Sequence, residues 1–428
     1  MRIDAPAARI EDGRVNPGYV KLDLFCRGLR VDPAVELGEG RGPLRMRSGL
    51  GSGLELRLPG PQRIHVNAPV VEPFAHSSPY VLVPAPRSRA GAGLALEYEG
   101  RFLMDVALPP QPRFREATTT RGRRMGSIGV MQGTYLGVYF GPTCANWKSP
   151  ARDICRFCSV GDNVASGDET TDKTVEDVVE TALAARDELG ITFVHVNGGY
   201  DDRGSYVARY VPLVEALRRR TGLLVGLQIP PLSSVEAYRA LARAGVDNLS
   251  LCFELWDEAR FGEVCPGKAR RTPLAAFRDA LAWCVRDVGF ATVNGEMIAG
   301  LESVASSRAA VDWLVELGAV PTVCVFRPVV GTPLQDRAPP ATEELAPLFA
   351  HAWHRVIARG LPVGIAPGIH VSIVLTPEEW RWLVPPAERS RHRLPRLRLA
   401  ALRSGYRAMR RVRGMMRPGP IRPRRSSC

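Results

Sequence analysis

Hydrophobic and polar positions are arranged in two different ways along this 428-residue chain. Up to about residue 125, short apolar runs are separated by glycine and proline, which is typical of strands joined by turns. These runs span residues 19–25, 54–58, 80–83, 94–98 and 102–108. They predict a small β-rich N-terminal domain over residues 1–125, which ends in a basic, threonine-rich linker at 118–124.

From residue 134 onward, apolar strand-like runs alternate with segments of helical period. Strands are predicted at 134–140, 191–197, 223–229, 248–255, 291–298 and 322–327. Helices are predicted at 174–188, 206–220, 234–244, 273–288, 306–317 and 343–359, several of them ended by a glycine. A further apolar segment, 361–375, is expected to add an edge strand.

This alternation predicts an α/β fold with a parallel sheet. Right-handed crossovers curl six such units into a partial (β/α)6 TIM-like barrel, which we place at residues 126–386. In such a sheet the chemistry belongs at the carboxyl ends of the strands, so candidate residues are sought there.

The last 42 residues form a separate, basic tail. Apolar residues recur every three or four positions, which predicts an amphipathic helix; they are Leu399, Leu402, Tyr406, Met409, Val412 and Met416. Residues 387–428 carry 14 arginines against one acidic residue, whereas the preceding 386 carry 43 basic and 43 acidic residues. The net charge of +13 therefore lies in the tail, for which an anionic membrane surface, RNA and packing on the barrel remain alternative partners.

The overall composition narrows the class of protein. With 45% hydrophobic and 24% charged residues, the chain is neither disordered nor a coiled-coil rod. No apolar run approaches the roughly 20 residues of a membrane-spanning helix, and the first residues lack the apolar stretch of a signal peptide. We therefore expect a cytoplasmic protein.

Three of the nine cysteines form the spacing C-x10-C-x2-C, at Cys144, Cys155 and Cys158. Thiolates this close in sequence can ligate either zinc or an iron–sulfur cluster. Structural zinc takes four protein ligands, and no second pair of cysteines is present. Three ligands on a loop after the first barrel strand suit a 4Fe-4S cluster with one iron left open, although the pattern alone does not decide between the two.

The sequence around these cysteines resembles the radical S-adenosylmethionine (radical SAM) enzymes. That family carries three cysteines after the first barrel strand, the last two flanking an aromatic residue, as Phe157 is flanked here. The commonest spacing in the family is C-x3-C-x2-C, and this chain departs from it with ten residues in the first gap. Longer first gaps occur in relatives such as the Elongator catalytic subunit.

Further elements resemble the same family in the same order along residues 131–375. Gly198 and Gly199 stand where the family has Gly-Gly-Glu, with Tyr200 replacing the glutamate and Asp201 or Asp202 as alternatives to it. Glu254 resembles the contact to the ribose hydroxyls, and Lys268 a cation for the ligand carboxylate. Residues 297–302 resemble GxIxGxxE with one residue missing, 328–334 resemble the P-x-x-GTPL of biotin synthase, and 364–370 resemble a last strand that packs on adenine.

The resemblance implies an enzyme that reductively cleaves S-adenosylmethionine at a 4Fe-4S cluster. The resulting 5′-deoxyadenosyl radical would abstract hydrogen from a biosynthetic substrate, a small metabolite, lipid or peptide. It also implies an electron donor such as flavodoxin or ferredoxin. The cluster would be held by Cys144, Cys155 and Cys158, and the nucleoside ligand by Phe157, Gly198, Gly199, Glu254 and Lys268. An RNA-modifying radical SAM enzyme and a zinc-stabilised nucleic-acid-binding protein remain alternatives.

The sequence does not identify the catalytic residues or the substrate. Gln228, Asn294, Glu296 and Arg327 are candidate substrate contacts, since they lie on barrel strands or at their ends. Cys252 and Cys324 lie within strands and are expected to be small core residues. Cys265 is the one additional cysteine that we consider for ligation or reaction. The seven histidines are expected to be structural.

Overall fold

The computed structural model describes residues 10–11, 14–37, 53–60, 64–85, 93–148, 153–202, 206–366 and 368–415. Its strands are β1 (Ile10–Glu11), β2 (Arg14–Val15), β3 (Arg30–Val31), β4 (Leu54–Leu58), β5 (Ile64–Ala68), β6 (Tyr80–Pro84), β7 (Leu94–Tyr98), β8 (Arg101–Val106), β9 (Val130–Met131), β10 (Leu136–Tyr139), β11 (Phe193–Asn197), β12 (Leu224–Gln228), β13 (Asn248–Glu254), β14 (Thr292–Ala299) and β15 (Val320–Val325). Its helices are α1 (Pro17–Arg27), α2 (Ala145–Lys148), α3 (Val160–Ala165), α4 (Val175–Leu189), α5 (Tyr206–Thr221), α6 (Val235–Ala244), α7 (Glu258–Val264), α8 (Pro266–Arg271), α9 (Leu274–Trp283), α10 (Val304–Leu317), α11 (Thr342–Arg359) and α12 (Arg393–Met415).

A seven-stranded sheet forms the centre of the protein. Strands β10 to β15 are parallel and lie side by side in chain order, and the short β9 pairs antiparallel with β10 at one edge. The sheet curls into a half barrel. All six predicted barrel strands are confirmed, and so is the predicted fold class.

Side chains of the half barrel alternate between two environments. On β13, for example, Leu249, Leu251 and Phe253 are buried against the outer helices, while the residues between them face the inside. The predicted helices are confirmed as α4, α5, α6, α9, α10 and α11, and a single π-helical turn, Cys284–Val288, extends α9. The inside of the sheet is therefore left for polar residues and a cavity.

The described N-terminal region contains three small sheets, of which β1 and β2 form the smallest, and a buried helix. Strands β3, β6, β7 and β8 form one sheet, and β4 and β5 form a hairpin, in agreement with most of the predicted runs. The run at 19–25, which we expected in a β-rich domain, lies instead in α1. This helix begins at Pro17 after an Asn16 side-chain cap, and it is buried on every side, so its sequence lacks the one-sided apolar stripe of a surface helix.

The expected edge strand at 361–375 is wrong. The described residues of this segment form turns and loops. Their carbonyl groups accept hydrogen bonds from two separate parts of the protein. Thr134 donates its N–H to the His370 carbonyl at 3.0 Å, and Asn67 donates to the Ser372 carbonyl at 2.8 Å. The segment thereby joins the first barrel strand to the N-terminal hairpin and covers the open side of the half barrel.

The same covering segment is fixed by a buried ion pair. The Lys21 ammonium group in α1 donates to the Val371 carbonyl at 2.6 Å and to both carboxylate oxygens of Glu379. Burial lowers the pKa of Lys21, although the Glu379 carboxylate opposes this shift. The N-terminal region is thus packed directly against the barrel cover.

The predicted amphipathic helix of the tail is present as α12. Leu399 is buried, whereas Leu394, Leu397, Leu402 and Met409 are exposed. No helix in the described part of the chain is both long and apolar enough to cross a bilayer. Met416 and the remainder of the tail, residues 416–428, lie outside the described residues.

Candidate active site

A cavity of about 240 Å³ opens at the carboxyl edge of the half barrel. Two groups of residues line it. We call the outer group the rim; it consists of Cys144, Cys155, Cys158, Gly198, Gly199, Glu254 and Lys268. We call the inner group the lumen; it consists of His195, Gln228, Cys252, Glu296, Thr322 and Cys324. The structure therefore gathers the proposed cluster ligands and nucleoside contacts around one opening.

Backbone hydrogen bonds from distant segments hold the Cys155–Cys158 turn. The Cys158 N–H closes the turn on the Cys155 carbonyl at 2.9 Å. Between them, the Arg156 N–H donates to Val264 at the end of α7, and the Arg156 carbonyl accepts from Leu334 of the GTPL string. Two barrel loops thus position the turn, and the GTPL sequence contributes one of these two hydrogen bonds.

The two glycines of the rim allow backbones to approach closely. A side chain on Gly199 would place its Cβ 2.5 Å from the Cβ of Cys144, and one on Gly198 would collide with the Tyr210 hydroxyl. Just beyond, Ala145 donates its N–H to the Tyr200 carbonyl at 2.7 Å. The Gly-Gly loop therefore packs directly on the first cysteine of the motif, and only glycine fits there.

Glu254 lies at a bulge where β13 leaves the sheet. Its φ angle of +66° is in the left-handed region, which costs energy for a residue other than glycine. The carboxylate accepts from Lys268, and Lys268 also donates to the Cys252 carbonyl at 3.0 Å. Burial alone would lower the pKa of Lys268, but the Glu254 carboxylate and the thiols of Cys155 and Cys265 raise it well above its usual range.

Cys265, which sequence reasoning left undecided, lies against a motif cysteine. It is fully buried, and its thiol donates to the sulfur of Cys155. This hydrogen bond lowers the pKa of Cys155, whereas burial raises the pKa of Cys265 well above its usual range. Cys265 is therefore a hydrogen-bonded neighbour of one of the three motif cysteines. This contact does not make Cys265 a fourth metal ligand.

The chemistry of the three motif cysteines fits an iron–sulfur cluster. Burial raises the pKa of Cys158 to about 12, and the sulfurs of Cys155 and Cys144 add to this shift. Neighbouring thiolates repel each other, so each one makes it harder for the next to ionise. A cationic group bound between them removes this repulsion. Within the described ranges, no three His, Cys, Asp or Glu side chains converge as ligands of one ion. A 4Fe-4S cluster does not require this, because each cysteine binds a different iron.

The acidic residues considered as substitutes for the missing glutamate are already paired. Asp201 forms an ion pair with Arg209, and Asp202 forms one with Arg271. None of these four residues is among the cavity-lining residues. Tyr200, which stands at the glutamate position itself, does line the cavity. The rim thus keeps the two glycines of the expected element without its carboxylate.

The remaining expected elements have local roles. Phe157 lines the cavity between the two cysteines that flank it. Glu302 accepts the N–H groups of Trp256 and Asp257, each at 2.9 Å, and so caps the loop that follows Glu254. Residues 364–370 form no strand, and Pro367 lies outside the described residues.

Two of the four candidate substrate contacts line the cavity. Gln228 and Glu296 belong to the lumen. Asn294 lies deeper, bonded to Asn248 and Thr322 at 2.6 and 2.9 Å. Arg327 turns away and donates to the side chain and carbonyl of Asn67, at 3.1 and 2.7 Å. Neither Asn294 nor Arg327 is among the cavity-lining residues.

Sequence reasoning missed part of the lumen. Cys252 and Cys324 were expected as small core residues; Cys324 does belong to the buried core, and both also line the cavity, as does His195. The strand registers Cys252↔Glu296 and Glu296↔Thr322 place these positions side by side on the inner face. Alternation along each strand was the signal that could have found them, since Cys252 lies two residues before Glu254 and His195 two residues before Asn197.

No protein-family model matches the sequence, and the search of curated proteins finds no match. Solved structures that match include a radical SAM methyltransferase from Sphaerobacter thermophilus, at 18% identity and a TM-score of 0.41, over 66% of this chain and 76% of that one. Another is coproporphyrinogen III oxidase (HemN) from Escherichia coli, at 17% identity and a TM-score of 0.36, over 53% and 52%.

A third match is methylornithine synthase (PylB), at 15% identity and a TM-score of 0.40, over 52% of this chain and 64% of that one. The chain spans 64% of the length of methylornithine synthase, 51% of that of HydG, a maturase of the [FeFe]-hydrogenase, and 52% of that of HemN. At these identities the likeness concerns the fold, and the solved proteins to which this chain is similar in fold include radical SAM enzymes.

Proposed function

We propose that the protein is a radical SAM enzyme that abstracts hydrogen from a biosynthetic substrate. One observation carries the proposal: the three cysteines of the C-x10-C-x2-C motif line a single cavity at the carboxyl edge of a parallel half barrel. The motif and the fold are independent observations. The motif is a spacing of three cysteines within 15 residues, whereas the fold depends on the arrangement of six strands. Their coincidence at one opening is what supports the assignment.

In this proposal Cys144, Cys155 and Cys158 hold a 4Fe-4S cluster. When bound and reduced, such a cluster supplies the electron that splits S-adenosylmethionine into methionine and a 5′-deoxyadenosyl radical. An electron donor such as flavodoxin or ferredoxin would be the partner for that reduction. The protein itself supplies binding, orientation and exclusion of water.

The rim residues would orient the nucleoside ligand. Glu254 offers a carboxylate at the cavity mouth, and a ribose diol donates hydrogen bonds best to an anionic acceptor. Lys268 holds that carboxylate in place through a hydrogen bond. Phe157 contributes an aromatic face, and Gly198 and Gly199 line the same opening.

Anaerobic reconstitution with iron and sulfide tests the proposal. We expect a protein that binds iron and sulfide and forms 5′-deoxyadenosine from S-adenosylmethionine under a chemical reductant. A protein that instead binds one zinc ion and no sulfide would overturn it and favour a zinc-stabilised scaffold. Substrate identity does not affect this test, because uncoupled cleavage needs no substrate.

For the tail we propose binding to an anionic lipid surface. Arginine-rich α12 exposes Leu394, Leu397, Leu402 and Met409, and an interfacial helix combines such apolar residues with a basic face. Exposed leucines favour lipid over RNA, whose phosphates need only the arginines.

A truncation after His392 keeps the contacts of Arg389 and His392 with the barrel and removes α12. Full-length protein should pellet with vesicles containing phosphatidylserine and not with phosphatidylcholine vesicles, and the truncated protein with neither. Equal binding of both proteins to anionic vesicles would overturn the proposal. Tail-dependent binding to single-stranded RNA without vesicle binding would assign the tail to RNA instead.

A further inference from the structure

Glu296 is the one carboxylate among the lumen residues. Glu296 on β14 accepts from the Ser250 hydroxyl through one oxygen and from the Cys252 thiol, at 3.1 Å, through the other. Both donors are neutral. Cys252 in turn is contacted by the Gln228 amide. The carboxylate thus has hydrogen bonds but no counterion among its described partners.

The charges around the cavity are unbalanced. Among the cavity-lining residues that the structure describes, Lys268 is the only lysine or arginine, and it is committed to Glu254. Arg327, at the carboxyl end of β15, points to Asn67 on the other side. His195 is held neutral near physiological pH, because burial lowers its pKa to about 4. Among the described residues, no lysine, arginine or histidine forms an ion pair with Glu296, and the charge of Lys268 offsets only part of the effect of its burial.

A second acceptor in the same cavity lacks a donor. The Oδ1 atom of Asn197, at the end of β11, is buried and has no hydrogen-bond partner among the described residues. An unpaired buried acceptor costs about 1–3 kcal/mol. Groups of this kind are expected where a ligand supplies the missing donor.

The Glu296 carboxylate and the unpaired Asn197 oxygen would both be satisfied by a ligand that donates hydrogen bonds. A buried carboxylate without a counterion is costly, and burial accordingly raises the pKa of Glu296. A ligand with a protonated nitrogen would offset that cost and would bring several N–H donors. A ligand with a phosphate or carboxylate at this depth would instead be repelled by Glu296 and would meet no free cation.

We infer that the molecule bound in the lumen carries a protonated amine, whose ammonium group pairs with Glu296, while Asn197 accepts a hydrogen bond from the same molecule. As a statement about the substrate, this inference rests on the proposed radical SAM function. As a statement about the cavity, it stands on the charges and acceptors described above.

Binding of three small probes to the full-length chain tests the inference. The probes are n-butylammonium, 1-butanol and butyrate, which share a chain and differ in charge, and binding is measured by ligand-observed NMR. Wild-type protein should bind n-butylammonium more tightly than 1-butanol and should not bind butyrate. Glu296→Gln should weaken n-butylammonium binding roughly tenfold, as expected for a charged hydrogen bond.

Three further variants control the result. Glu296→Asp keeps the charge and should keep the preference for ammonium, and Asn197→Ala should weaken binding to a smaller extent. Glu236→Gln removes an exposed acid on α6 and should change nothing. Equal binding of n-butylammonium to wild type and Glu296→Gln, or no preference for ammonium over 1-butanol, would overturn the inference. Thermal unfolding of each variant reports whether it is folded.

The measurement separates this inference from the proposed function. The probes bind without S-adenosylmethionine, so an ammonium preference lost in Glu296→Gln supports the lumen site even if no cluster forms. Conversely, a protein that forms 5′-deoxyadenosine but shows no ammonium preference retains its proposed function and loses only this inference. Affinity for S-adenosylmethionine should be the same in wild type and Glu296→Gln, since the described hydrogen bonds of Glu296 go to Ser250 and Cys252 and to no rim residue.

Discussion

The rim and the lumen border one cavity but are built in different ways. The rim is positioned by main-chain contacts between segments far apart in sequence, as in the bonds of Arg156 to Val264 and Leu334. The lumen is a wall of side chains, one from every second position of adjacent parallel strands. Rim residues are therefore constrained by backbone geometry, whereas lumen residues are constrained only by which face of a strand they occupy.

This difference separates what binds a common ligand from what selects a particular one. A fixed backbone frame suits a group that every reaction needs, and exchangeable side chains suit the part of the site that must vary. Substitutions at the rim should accordingly impair cluster and nucleoside binding. Substitutions in the lumen should leave both intact and change what else is bound.

The largest expected effect is at the motif cysteines. Cys158→Ala removes one of three proposed ligands and should abolish the cluster. Cys284→Ala also removes a fully buried thiol, but this thiol lies in the π-helical turn that extends α9. The Cys284→Ala protein should therefore retain the cluster. Iron and acid-labile sulfide per chain after anaerobic reconstitution are the measurement. Equal loss in both variants would mean that the ligand assignment is wrong.

A glycine of the rim should show the effect of close packing. Gly199→Ala places a methyl group 2.5 Å from the Cβ of Cys144, so the loop must shift. Overpacking of this kind costs about 1–3 kcal/mol, which the urea unfolding midpoint would report.

Gly262→Ala is the matched control, because it lies on the exposed face of α7 with nothing within 4 Å of the added Cβ. Alanine should stabilise that helix by up to about 1 kcal/mol. If Gly199→Ala is no less stable than Gly262→Ala, the close approach to Cys144 does not constrain the rim.

Features that depend on local sequence patterns could be predicted from the sequence, whereas features that depend on tertiary contacts could not. The barrel strands and helices follow from apolar periodicity, and the cysteine motif follows from spacing, so both were predictable. Helix α1 was not, because burial on all sides removes its stripe. Segment 361–375 was misassigned because its apolar residues cover the cavity through loop contacts, with Val371, Ile373 and Val374 lining it. Cys265 reaches Cys155 only through tertiary packing, which no local pattern encodes.

An intermediate effect is expected at Glu254. Glu254→Gln removes the charge that faces the cavity mouth and leaves Lys268 without its counterion. Affinity for S-adenosylmethionine, measured by equilibrium dialysis of reconstituted protein, should fall roughly tenfold. Glu236→Gln serves as the surface control. Unchanged affinity in Glu254→Gln would remove this residue from the nucleoside site.

The smallest expected effect is a change in acid stability caused by a lumen histidine. Burial lowers the pKa of His195 to about 4, and its ring lies against the rings of Tyr135 and Phe193. In the unfolded chain the imidazole titrates near 6.5, so the unfolded state takes up a proton first as the pH falls. The folded state should therefore lose stability between about pH 6.5 and 4, by about 1 kcal/mol from pH 7 to 5.5.

His195→Gln removes this titration, so the difference in unfolding free energy between variant and wild type should shift in favour of the variant across that window. Cluster content at pH 7 should be unchanged, as expected for a lumen residue. A constant difference between pH 7 and 5.5 would show that the imidazole is exposed to water through the cavity. Loss of the cluster in His195→Gln would instead mean that rim and lumen do not act separately.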